Sequence, residues 1–106
     1  MSRLLRSIAL AFLLAGCATA APFPLPMDVG AAQAQWPGTT HGDLERGRTV
    51  YVRRCGGCHL LHGPDEIAAE KWPGVVGKMA PRAKLSPAEG ADLVRYLVVL
   101  SAAPRD

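Results

Sequence analysis

The sequence is short of the residue groupings that most enzymes and nucleic-acid binders are built on. It contains no Ser-His-Asp constellation, no phosphate-cradling glycine loop and no pair of catalytic carboxylates; the adjacent Asp65 and Glu66 read as first-turn acids of a helix. Nothing therefore suggests a separate catalytic site. Basic blocks are also lacking. The formal charge is +3, but Arg3 and Arg6 lie in a segment expected to be removed, which leaves ten basic against nine acidic side chains. No stretch suits a phosphate backbone, so nucleic acid is excluded as a partner. The N-terminal apolar run, Ile8 to Ala15, is about half the roughly 20 residues of a membrane span. The length of 106 residues leaves room for one domain, and three cysteines are an odd number to account for.

One cysteine belongs to an address. Arg3 and Arg6 make a positive start and Ile8 to Ala15 a short apolar core, so residues 1–16 read as an export signal. Leu14-Ala15-Gly16-Cys17 follows, and it resembles the lipobox of bacterial lipoproteins at all four positions. That resemblance implies a diacylglyceryl group on the Cys17 sulfur, cleavage that makes Cys17 the new N-terminus, and a protein held at the membrane. Ala18 in place of Asp implies outer-membrane placement under enteric-type sorting. The small-x-small triplet Ala18-Thr19-Ala20 is a competing cleavage site, which would release a soluble protein without Cys17. Both outcomes lie outside the cytoplasm, in the periplasm. Residues 17–40 carry Pro22, Pro24, Pro26 and Pro37 and are expected to form an extended tether. The alternative is that part of this stretch wraps the domain, with Trp36 packed on its surface, because a free linker has little use for a Trp.

The other two cysteines stand in Cys55-Gly56-Gly57-Cys58-His59. Two thiols three apart, followed at once by an imidazole, have the form of a c-type haem attachment site. One turn of backbone lets both sulfurs reach the two vinyl groups of one porphyrin and form thioethers. The imidazole of His59 then falls beneath the iron as proximal ligand. A thioredoxin-like dithiol needs a longer α/β pattern around it, and a closed zinc site needs another well-spaced Cys or His pair. His41 and His62 could complete one only awkwardly.

The folded part is expected over residues 41–106. Within 43–54, Leu44, Gly47 and Val50 or Tyr51 share a face, and Gly47, Tyr51 and Cys55 recur at steps of four toward the haem motif. Ser86-Pro87-Ala88-Glu89 is a capping box with Pro at the first helical position. Behind it Leu93, Tyr96, Leu97 and Leu100 make an apolar stripe. Between these helices Trp72, Val75, Val76 and Met79 fall at helical spacing, with Pro73 tolerable only in the first turn.

These residues together resemble the cytochrome c family, in particular its small bacterial monohaem, class I-like members. The resemblance pairs Gly47 and Tyr51 on the first helix with Leu93 and Tyr96 on the last at a close crossing. It implies an all-α fold of about three helices around one covalently attached haem c. It also implies a distal methionine from the loop before the last helix; Met79, 20 residues after His59, has the separation seen in some compact members. Met27 and His41 are minor rivals for that position, and His62 is expected at the surface. The Pro64 carbonyl is expected to accept the free ring N–H of His59, or to form a simple turn. Trp72 is expected either in the core or bonded to a haem propionate. Lys78, Arg82 and Lys84 would ring the haem edge and favour redox partners with an acidic patch, if they are not merely a solvated face. The implied function is single-electron transfer in the periplasm, with no enzymatic activity of its own. The alternatives are a five-coordinate c-haem sensor or peroxidase-like protein, and the cytochrome subunit of a larger dehydrogenase complex. About 65 residues make a poor core alone, so the haem-free chain is expected to be largely unfolded.

Overall fold

A computed structural model of the chain describes residues 21–56 and 62–102. Four α-helices form the frame: α1 (Pro26–Gln35), α2 (His41–Val50), α3 (Trp72–Ala83) and α4 (Pro87–Ala102). A π-helical turn over Tyr51–Cys55 prolongs α2, and two 3-10 turns, Pro64–Glu66 and Ala69–Lys71, lead into α3. The described residues contain no strand, so the fold is all-α as expected. None of their helices is long and apolar enough to cross a membrane.

Each helix begins where the chain supplies an acceptor or a proline. In α2 the Thr40 hydroxyl accepts the Asp43 N–H at 3.1 Å, and Asp43 Oδ2 accepts the Thr40 N–H at 2.8 Å. The box at Ser86 is formed too, with Glu89 Oε1 on the Ser86 N–H at 2.9 Å and the Ser86 hydroxyl on the Glu89 N–H at 3.1 Å. Helix α3 opens on Trp72-Pro73, where the missing proline N–H would have had no partner. It closes on Lys84 in the left-handed conformation (φ 55°), with the Leu85 N–H returned to the Ala80 carbonyl at 3.0 Å.

The core is the crossing of α2 and α4. Leu44, Leu93, Tyr96, Leu97 and Leu100 are almost wholly buried there, each worth about 1.5–3 kcal/mol by removal from water. Gly47 makes the crossing close. A Cβ on it would stand 2.6 Å from Tyr96 Cβ and would overlap the Asp92 carbonyl oxygen. At the far end, Arg54 donates to the Ala83 carbonyl at 3.2 Å and pairs with Glu89 at 3.5 Å. The turn carrying Cys55 is thereby tied to both later helices.

The stretch before α2 departs from the expected tether. Pro26–Gln35 is helical, and Ala32 and Asp28 are buried against the domain. The Tyr96 hydroxyl donates to the Pro22 carbonyl at 2.7 Å, and Arg48 Nε donates to the Ala21 carbonyl at 2.8 Å. Trp36 packs on the core as a partly buried side chain. The proline spacing misled because Pro26 is the first residue of a helix, where its fixed φ is favourable. Asp28 Oδ2 then caps the Leu25 N–H at 2.6 Å. The wrapping alternative is the arrangement found from Ala21 onward, and the frame has one helix more than the three expected.

Candidate functional site

Helices α2, α3 and α4 do not close completely on one another. Between them lies an apolar cavity of about 240 Å³. One wall is the π-helical turn, which presents Tyr51 and the half-buried Cys55. The wider turn keeps both residues on the inner side of the chain as α2 gives way to the Cys-x-x-Cys-His segment. The facing wall is α3, from which Trp72, Val75, Val76 and Met79 line the space, as their spacing required. Leu93 and Leu97 of α4 make the floor, and Ile67 closes one side. Thus a thiol and a thioether, Cys55 and Met79, border the same cavity. Met79 sits on a regular helix and not in the loop before the last helix, where the family resemblance put it.

An aromatic group stiffens the wall. The Tyr51 ring meets Trp72 edge to face, with centroids 6.2 Å apart and planes at 82°. The same ring meets Tyr96 at 6.2 Å. Each polar tip is spent on a backbone carbonyl. The Trp72 indole N–H donates to the Pro64 carbonyl at 2.9 Å, and the Tyr51 hydroxyl donates to the His62 carbonyl at 2.5 Å. Burial in this pocket, with the neighbouring Cys55 and Glu66 adding to it, pushes the Tyr51 hydroxyl up to about 12. Trp72 is thus a buried core residue whose indole N–H is engaged at the Pro64 carbonyl. The Pro64 carbonyl has Trp72 as its partner, an assignment that sequence spacing did not offer.

The remaining candidates divide by place. His62 has an exposed ring, 3.3 Å from Glu66, and contributes to the cavity rim. His41 is exposed on the first turn of α2 and pairs with Glu45 at 2.9 Å. Met27 is exposed on α1 and takes no part in the cavity wall. Lys78, Arg82 and Lys84 are all exposed along and after α3. Cys17, Cys58 and His59 lie outside the described residues. Among the described residues no group of three or more His, Cys, Asp and Glu could hold a metal ion.

Sequence reasoning missed Ile67 as a wall residue, because it lies in a stretch without periodicity. Tyr51 was legible on the same side of the chain as Cys55, but its role was assigned only to packing against the last helix. The donor set suits a flat apolar macrocycle. The walls are aliphatic and aromatic, the Cys55 thiol opens into them, and the Met79 thioether, a group soft enough to bind iron, stands on the facing helix. No protein-family model matches the chain, and neither does any curated protein or solved structure.

Proposed function

We propose that the protein is a small c-type cytochrome that carries single electrons outside the bacterial cytoplasm. The observation that carries this reading is the opening of Cys55, first thiol of a Cys-x-x-Cys-His motif, into an apolar cavity that Met79 also borders. On this reading Cys55 and Cys58 hold the haem by thioethers, His59 is the proximal ligand and Met79 the distal one. Bound there, the haem supplies reversible one-electron exchange at its iron. The chain does the rest. Val75, Val76, Leu93 and Leu97 exclude water, and the Tyr51–Trp72 contact fixes one wall. Exposed Lys78, Arg82 and Lys84 steer partners that carry an acidic patch. Export and a diacylglyceryl group on Cys17 hold the protein at a membrane surface.

The test is the intact mass and visible spectrum of the exported protein. The mass should exceed that of chain plus lipid by one haem, and the excess should survive denaturation. Cys55→Ser with Cys58→Ser should abolish it, and a colourless wild type without the added mass would end the proposal. A second reading is favoured by the seat of Met79 within a helix and not in a loop: if its sulfur did not reach the iron, the protein would be a gas sensor or peroxidase-like protein. A sulfur-to-iron charge-transfer band that disappears in Met79→Ala decides for the carrier, whereas high-spin five-coordinate iron in the wild type decides for the sensor.

A further inference from the structure

We propose that Phe23, Leu25 and Met27 form a membrane-contacting patch that lays the domain flat on the bilayer holding its own anchor. The proposal rests on the reading of Cys17 as lipidated. The large apolar side chains left exposed among the described residues are Phe23 (62%), Leu25 (44%), Met27 (53%) and Val52 (38%). Three of the four thus fall in a five-residue stretch, where a solvated surface would have scattered them. The backbone there is the reason. It is extended at Leu25 (φ −104°, ψ 161°), and Pro24 between Phe23 and Leu25 is buried, so the alternation turns both neighbours outward. Met27 follows in the first turn of α1.

Charge and tether length select a lipid surface as the occupant. The Arg48 guanidinium lies 3.6 Å from the centre of the Phe23 ring. A cation beside an exposed aromatic suits the headgroup level, where the ring enters the apolar boundary and the guanidinium meets phosphate. The chain is fixed from Ala21 onward, since that residue is buried and its carbonyl is held by Arg48. Between Cys17 and Ala21 there are four Cα steps, which span at most about 15 Å. A lipid on Cys17 therefore holds this patch, and no distant face, within reach of the headgroups. The consequence reaches the cavity. Arg48 precedes Cys55 by seven residues, no more than about 10 Å along α2 and the wider π-helical turn that follows it, so the cleft is kept close to the membrane plane. Partners would meet it by lateral encounter.

The experiment compares wild type with Phe23→Ser/Leu25→Ser, both exported from the full chain and kept in their membranes. Intact mass reads the acyl chains, and the rate of Met27 sulfoxide formation under mild peroxide reads the patch. With acyl chains present, Met27 should oxidise at least about fivefold faster in the variant, because its cover has been weakened. Equal rates with acyl mass present overturn the patch. If the mass shows no acyl chains, the anchor reading fails by itself, and cosedimentation with phosphatidylglycerol–phosphatidylethanolamine vesicles decides the patch. The wild type should then partition at least about tenfold better than the variant, and equal partition overturns the proposal. Both substituted positions are exposed, so unchanged circular dichroism is expected.

Discussion

The close crossing at Gly47 gives the most decisive test of the packing. Alanine there brings two opposed effects. Helix propensity favours Ala over Gly by about 1 kcal/mol. Against it, the added carbon would stand 2.6 Å from Tyr96 Cβ, where ordinary contact begins at 3.4 Å, and would overlap the Asp92 carbonyl as well. Neither obstacle is the end of a flexible side chain, so α2 and α4 must move apart by at least about 0.8 Å, and more to clear the Asp92 carbonyl, at the upper end of the roughly 1–3 kcal/mol that overpacking costs. The net is a loss of about 2 kcal/mol, or a fall of about 8–16 °C in melting temperature for a domain of this size. Gly77→Ala is the control. Gly77 is exposed in the middle of α3 with nothing within 4 Å of the added carbon, so only the propensity gain applies. Its melting temperature should rise by about 2–8 °C. The same substitution is thus expected to act with opposite signs at two glycines. Thermal melts followed by far-ultraviolet circular dichroism measure both. A Gly47→Ala protein that melts within about 2 °C of wild type would refute the described crossing.

Three further outcomes follow from the polar contacts. Trp72→Phe keeps an aromatic ring but removes the donor to Pro64 and part of the buried indole volume, and should cost at least about 1–3 kcal/mol, the cost of leaving a buried carbonyl unpaired; a melt unchanged from wild type would refute both the bond and the tight burial. The Ser86 backbone N–H, hydrogen-bonded to Glu89, holds that carboxyl below its ordinary 4.5. Its stabilising effect is therefore complete above pH 4.5 and lost as pH falls through the lower folded value, a dependence that Glu89→Gln should flatten in acid melts. Tyr51 behaves oppositely, because burial raises its hydroxyl to about 12 and the folded state holds the proton more tightly than the unfolded one. Stability should decline as pH rises from about 10 to about 12, and Tyr51→Phe should remove that decline. In a protein whose Cys55 is a thioether, the thiolate contribution is absent, so the decline should still begin near pH 10 but end lower and be smaller.

Most of the frame was legible because periodicity and caps act locally. The Ser86–Glu89 box, the stripe from Leu93 to Leu100 and the Trp72–Met79 face all depend on residues within two turns of one another. Gly47 was legible for a different reason: an absent side chain on an apolar face signals close approach. What escaped was α1. Counting prolines over residues 17–40 obscured that none stands between Pro26 and Pro37, an interval rich in Ala with Asp28 placed to cap it. The polar ends of Tyr51 and Trp72 were equally hidden. Their acceptors, the His62 and Pro64 carbonyls, are backbone atoms brought near by irregular turns, and no side-chain pattern records them. The Cys-x-x-Cys-His spacing was the plainest chemical signal in the sequence, yet the wall opposite Cys55 had to be read from a helix assigned only by spacing.

The cavity bears on whether this domain folds without a guest. The apolar space of about 240 Å³ is open to solvent on one side, and Ile67, Val75 and Met79 are only partly buried around it. Covering the apolar surface that still faces it is worth about 2–3 kcal/mol at about 25 cal/mol per Å². A domain of roughly 80 residues has a total stability of about 4–12 kcal/mol at the usual 0.05–0.15 per residue, so a guest there supplies a sizeable part of it. The parts depend on it unequally. The α2–α4 crossing is packed through Leu44, Gly47 and Tyr96 without help from the cavity, whereas α3 supplies a whole wall of it through Trp72, Val75, Val76 and Met79. A Cys55→Ser/Cys58→Ser protein, purified free of haem absorption, should therefore keep part of its helical dichroism while losing a cooperative urea transition. Hydrogen exchange should find the α3 amides unprotected before those of α4. A sharp two-state transition worth more than about 3 kcal/mol in that protein would refute the dependence, because it would mean that the helices stabilise one another without anything between them.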